Sequence, residues 1–153
     1  HTPPPELALG WLSEQGVNDP DMMLRAAGSR PLEALEMVRS GLDERLWPEL
    51  PALIKRGRAE AFSGMSVPMV VQSLQKLCAD LMSRAVGLPA RHFPSESLPA
   101  GAQAQALGQW WKQLLKVARH DEHPWNAGLL IESLVLQGQA CWPTKTPQSR
   151  HVR

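Results

Sequence analysis

"SVPMVVQSLQKLCADLMSRAVG", Ser66 to Gly87, is the stretch that decides the fold class. Ser66 has the side chain of a helix N-cap, and Pro68 suits a first helical turn. Val70, Leu74, Leu77 and Leu81 recur in threes and fours, the spacing of one face of an α-helix. Val71, Cys78 and Met82 widen that apolar stripe, and Gly87 supplies the stop. A stripe this broad must be covered from more than one side. It predicts a helix of Val67 to Val86 buried against more than one neighbouring helix.

Upstream the same signals recur at shorter range. "PPPELALGWLSEQG" places Leu7, Trp11 and Leu12 at helical spacing after a proline start, with Gly16 as the end. "NDPDMMLRAAG" offers Asp19 as a cap, Pro20 in the first turn, and Met23, Leu24 and Ala27 on one side. "AAGSRPLEALEM", Ala26 to Met37, stops at Gly28 and restarts at Pro31, so two short helices meet at a tight corner; the second presents Leu32, Leu35 and Val38 or Arg39.

Downstream, Pro48 and Pro51 break "GLDERLWPELPALIKRG" and leave a helix from about Pro51 to Arg56, followed by a short helical "RAEAFSG" ending at Gly64. "LPARHFPSESLPAG", Leu88 to Gly101, reads as a loop. Beyond it, "AQAQALGQWWKQLLKVARH" aligns Leu107, Trp111, Leu114 and Ala118, with Trp110, Leu115 and Val117 beside them. "HPWNAGLLIESLVLQGQACW" begins with Pro124 and carries Leu130, Ile131, Leu134 and Val135. No segment alternates with period two between turn signals. The chain is therefore expected to be all-α: a small helical subdomain over residues 1–40, a helical bundle over 41–145 and a polar tail over 146–153.

The 153 residues, 43% of them hydrophobic, suffice for a core that buries about 70% of the unfolded surface. Cys78 and Cys141 lie inside apolar helical patterns and read as small buried hydrophobes, not as a disulfide or metal pair. No apolar run approaches the roughly 20 residues that cross a bilayer, and no basic-then-apolar leader is present, so a cytoplasmic protein is expected. The opening "HTPPPEL" has no initiator Met, as a processed chain or an excised piece would. The net charge of +1 announces no nucleic-acid partner, although residues 1–40 hold three Lys/Arg against six Asp/Glu and the remainder thirteen against nine.

Catalysis needs convergent polar groups with nucleophile and base in reach of one another, and no such constellation stands out. There is no phosphate-cradling glycine loop followed by Lys and Ser/Thr. In "HDEHPW", His120 and His123 flank Asp121 and Glu122; on a helix both imidazoles would share a face, as a metal site requires, but the segment precedes Pro124 at a helix junction, where short polar residues cap helix ends. Trp110 and Trp111 point about 100° apart on a helix and cannot both face one core, so one is a candidate contact for another protein, against the alternative of a wide interior seam. The helix from Pro31 sets Glu33 and Glu36 against one Arg39, which argues against reading a DNA groove.

With those residues in place, the front of the chain resembles the lid of the AAA+ clamp-loader proteins, in particular the delta prime family of bacterial DNA polymerase III. The likeness is carried by Pro3 to Pro5, Trp11, Leu12, Gly28, Pro31, Ala34 and Leu35. The remainder is similar to that family's collar through Asp80, Leu81 and Gly87, and through Asn126, Leu130, Glu132 and Leu134. The resemblance implies a noncatalytic assembly module of a five-membered loader that places the sliding clamp on primed DNA. Its partners would be the gamma or tau and delta subunits, met through the collar, with clamp and DNA contacted indirectly and with no cofactor, no small-molecule substrate and no membrane. Hydrolysing relatives carry a phosphate-sensing arginine where this chain has Leu32, and Arg30 lies two residues early, as fits a non-hydrolysing member. Trp110 and Trp111, with Lys112, Lys116 and Arg119 at the rim, are the interface candidates. A second reading is a stand-alone helical nucleic-acid-binding module using the same three cations, and a third is a small helical enzyme with metal at His120 and His123.

Overall fold

The computed structural model describes residues 4–119 and 126–144. Seven α-helices follow in order: α1 (Pro5–Glu14), α2 (Pro20–Ala26), α3 (Pro31–Arg39), α4 (Leu50–Lys55), α5 (Val67–Ala85), α6 (Ala104–Arg119) and α7 (Ala127–Gln139), with three short 3-10 turns between them. Among the described residues there is no strand, and the all-α expectation holds.

Local chemistry sets the helix ends. The Asp19 carboxylate accepts from the Met22 N–H at 3.2 Å, and the Ser66 hydroxyl accepts from Met69 N–H at 3.3 Å, each meeting a donor the first turn leaves without a partner. At the corner after α2, Gly28 N–H donates to Arg25 O and Ser29 N–H to Leu24 O, the paired bonds of a Schellman stop. Both Gly28 (φ 64°) and Ser29 (φ 70°) adopt the left-handed conformation, which glycine tolerates and serine reaches at a cost. This reverses the chain tightly enough for Pro31 to open α3.

Helices α1, α2 and α3 pack on one another around Leu12, Met23, Leu24, Ala34, Leu35 and Met37. Two residues expected on their inner faces lie outside. Leu7 is 68% exposed because α1 turns Ala8 and Leu12 inward instead, and Leu32 is 74% exposed because α3 buries Ala34, Leu35 and Met37. Such short helices need only a narrow apolar stripe. Leu7 and Leu32 line, with Trp11 and Pro31, a shallow apolar hollow of about 260 Å³.

Helix α5 is the centre of the remainder. α6 packs along it and α7 packs against both, and Val70, Val71, Leu74, Leu77, Cys78 and Leu81 are all buried. Its wide stripe is thus covered within the chain, whereas a collar helix, as the resemblance implies, would keep one flank for a neighbouring subunit; Val86, past the last turn, is the exposed exception. Lys76, on the side of α5 facing α3, places Nζ 2.7 Å from Glu33 Oε2, so one of the two carboxylates expected on the outside of α3 is used in an ion pair. The buried apolar residues form one continuous cluster from Ala8 to Trp142.

α6 and α7 run antiparallel, since Trp110 Nε1 donates to Leu134 O at 3.0 Å and Gln103 N–H to Cys141 O at 2.8 Å. Gly138 makes the close approach possible: a Cβ there would meet the Trp110 ring at 2.5 Å. Along α6, Leu107, Trp110 and Leu114 are buried while Trp111 is half-buried and Ala118 exposed, so the inner line runs through Trp110, not Trp111. In urea unfolding, Gly138→Ala is expected to lower stability by about 1–3 kcal/mol through the displaced indole. Gly128→Ala, at the other end of α7 with only ordinary contact to Asn126, should be neutral or raise it by up to about 1 kcal/mol.

Candidate partner interface

The first polar group that demands explanation is Asp80, a carboxylate on the inner side of α5 with no exposed surface. A buried charge survives only with a full set of donors. Here the donors come from the Leu88 to Gly101 loop: Arg91 N–H at 3.1 Å and the His92 ring Nδ1 at 3.1 Å to Oδ1, and His92 N–H at 2.9 Å and Phe93 N–H at 2.8 Å to Oδ2. Burial alone pushes this carboxyl up, but the bonds from the His92 ring and from the backbone of Phe93, His92 and Arg91 outweigh it, so the group is held below the ordinary aspartate range.

The loop is ordered in consequence. Ala90, Phe93 and Leu98 are buried, Phe93 stacks on Trp47 with ring centroids 4.1 Å apart and planes 5° apart, and Trp47 Nε1 donates to His92 O at 3.0 Å. In the sequence, Asp80 stood out only through the collar resemblance, and nothing in the loop identified its partners.

An aspartate orienting a histidine is half of a common catalytic arrangement. His92 lines a cleft of about 190 Å³, but its neighbours there are Asp19, Asp21, Met22, Arg25, Phe93 and Pro94, with no hydroxyl or thiol among them and Asp19 committed to capping α2. Among the described residues no group of three His, Cys, Asp or Glu is placed to hold a metal. His120 and His123 lie outside the described residues. Burial pushes the Cys78 thiol up to about 12, with a further rise from nearby Cys141, and the Cys141 thiol up to about 11, so both stay protonated near neutral pH. Both cysteines are free and buried, as their setting in apolar helices implied. A thiol held protonated is a poor nucleophile.

The surface is more informative. Of the interface candidates, Trp110 is 2% exposed and its indole sits between α6 and α7, whereas Trp111 is half-buried and Lys112, Lys116 and Arg119 are exposed. The structure therefore divides the tryptophan pair and leaves the three cations along the outer side of α6, a helix without a single carboxylate. It also reveals two residues not singled out from the sequence. Leu129 and Leu136 are 57% and 48% exposed on α7, on an outward face with Ser133 and Ala140. The signal was present as a spacing of four, three and four residues on the side of α7 away from Leu134, Val135 and Gly138. Separately, a groove of about 580 Å³ between α6 and α7 is lined by Ala106, Gln109, Trp110, Lys112, Gln113, Gln137 and Ala140.

The described residues thus define an all-α protein whose open chemistry lies on helix faces, and no helix among them is long and apolar enough to cross a membrane. No family model, curated protein or solved structure matches the chain.

The depressed Asp80 carboxyl contributes stability that is complete above the unfolded value near pH 4 and is lost as pH falls through the lower folded value. Asp80→Asn is expected to cost about 3 kcal/mol at pH 7, because its amide turns a donor toward backbone N–H groups. Urea titrations at neutral and acidic pH should also show a flatter acid limb for the variant, and hydrogen exchange should show lost protection at residues 91–93.

Proposed function

We propose that this chain is the lid and collar part of a delta prime-type clamp-loader subunit, a noncatalytic assembly module that helps place the sliding clamp on primed DNA during replication. The observation that carries the reading is the surface around Leu32. In the family it resembles, an arginine at that position senses the phosphates of ATP; here the position holds an exposed leucine over a hollow lined by Leu7, Ala8, Trp11 and Pro31. An apolar hollow has nothing to offer a triphosphate. The nearby Arg30 lies 3.9 Å from Glu33, which further offsets its charge.

Two further features support the reading. Three short helices with the corner at Gly28 precede the short α4 and the longer α5, α6 and α7, an order that supports a lid followed by a collar. The bundle also leaves leucines open on α7, as a subunit that assembles with gamma or tau and delta in the cytoplasm requires. No cofactor enters this account.

A second reading, a stand-alone nucleic-acid-binding module, is favoured by the three cations along α6. The two diverge in measurement. On the assembly reading the chain co-purifies with the other loader subunits, isothermal titration with ATP gives no heat of binding, and its affinity for oligonucleotides is negligible at physiological salt. On the other, binding to single strands falls with a log–log salt slope of about −2, the value for three neutralised phosphates. Failure to join the loader together with such a slope would displace the first reading.

A further inference from the structure

We propose that the face of α6 formed by Ala104, Gly108, Trp111, Leu115 and Ala118 is a docking strip for one amphipathic helix of a partner protein that carries carboxylates along one border. The inference goes beyond the clamp-loader reading and does not depend on it, since peptide binding and entry into a loader are separate measurements.

These residues recur at intervals of four, three, four and three, which keeps them in line along one side of an α-helix. The line is turned about 100° around α6 from Trp110, whose indole meets α7. Gly108, Trp111 and Leu115 are half-buried and Ala104 and Ala118 are exposed, so the described residues cover the strip only in part.

Gly108 marks where another backbone fits. Glycine inside a helix is less stable than alanine, and nothing within the described chain requires it here: a Cβ at Gly108 would meet no heavy atom within 4 Å. Gly138 is the contrast, because a Cβ there would strike the Trp110 ring at 2.5 Å. With Ala104 one turn before it, Gly108 leaves the start of α6 bare, and the distance between packed helices is set by the side chains at their contact. Trp111 and Leu115 continue the strip with apolar area, tryptophan being a favoured anchor where proteins meet.

The charge of the occupant follows from the adjacent line of residues. Lys112, Lys116 and Arg119 come directly after Trp111, Leu115 and Ala118, so all three cations stand on one border of the strip. They are exposed, α6 contains no acidic residue, and no described carboxylate pairs with them. Gln105 and Gln109 hold the matching places after Ala104 and Gly108, so that border offers only amides and cations. Carboxylates on an incoming helix would be steered there and fixed in register, and a cationic border would be repelled.

A protein helix fits this combination better than a nucleic acid does. Phosphates would use the cations but not the bare glycine and the leucine beside them, and Trp111 is already packed against the core where a stacked base needs an open ring. Apolar positions in line beside a charged border are the marks of helix recognition.

The test titrates the isotopically labelled chain with two synthetic amphipathic helices of about four turns, identical in their apolar stripe but bordered by Glu in one and Lys in the other, and with a single-stranded oligonucleotide. The Glu-bordered peptide is expected to shift the Gly108 amide and Trp111 indole resonances, to leave the Trp110 indole in place, and to bind about tenfold more tightly than the Lys-bordered one. The double variant Lys112→Glu with Lys116→Glu should invert that preference. Gly108→Gln should abolish binding of both peptides while its urea midpoint equals or exceeds that of the parent chain, which separates lost docking from lost folding. Leu136→Lys, on the outward face of α7, should leave binding unchanged. The proposal is overturned by absence of binding, equal binding of the two peptides, binding that survives Gly108→Gln, or a lowered urea midpoint for that variant. Loss of binding with Leu136→Lys, preference for the oligonucleotide, or self-association in place of peptide binding would overturn it equally.

Discussion

The buried carboxylate of Asp80 is the constraint on which the arrangement of the molecule depends. A charge taken out of water needs its lost solvation replaced, and α5 alone has no free donors to give it. The loop between α5 and α6 bends back to supply three backbone N–H groups and an imidazole. That bend carries Phe93 onto Trp47, and Trp47 in turn lies beneath the Lys76 ammonium, 5.9 Å from the ring centroid. Lys76 then reaches Glu33 on α3. One solvation requirement is in this way linked through stacked rings and an ion pair to the packing of the first three helices against the rest.

With α5 enclosed on several sides, the breadth of its apolar face is spent inside the chain. What remains open is decided by the outer helices. α6 sends Trp110 inward, where Gly138 leaves room for the indole and Leu134 O takes its N–H, and it turns its cations outward. α7 is apolar on two faces, one packed against α5 and α6 and one facing solvent through Leu129 and Leu136. The open apolar and cationic faces belong to α7 and α6, and not to α5.

The same enclosure explains the lack of polar chemistry among the described residues. Asp80 and His92 are committed to holding a loop, both thiols are buried and protonated, and the hollow beside the first corner is lined by apolar side chains. The leucines of α7 and the cations of α6 are what the described residues leave open, and they support the proposed role in holding other proteins together.

The helices themselves were legible from the sequence, because caps, prolines, glycine stops and three-to-four spacing act within a turn or two of the chain. Asp19, Ser66, Gly28 and Pro31 each do what their side chains dictate locally. Which side of a wide stripe is covered was not legible, since that depends on residues distant in sequence that only packing brings together. Leu7 and Leu32 carry the apolar side chains of core residues but lie outside, and Trp110 and Trp111 are chemically identical yet were separated by the position of one glycine on another helix. The sequence by itself determined that the described residues are all-helical and where α2, α3 and α5 begin, though not that α7 opens at Ala127 behind an Asn126 cap or that Ala59–Phe62 forms only a 3-10 turn. Only the tertiary structure decided which faces remain open, because burial is a property of neighbours and the partners of Asp80, Glu33 and Trp110 lie 12, 43 and 24 residues away.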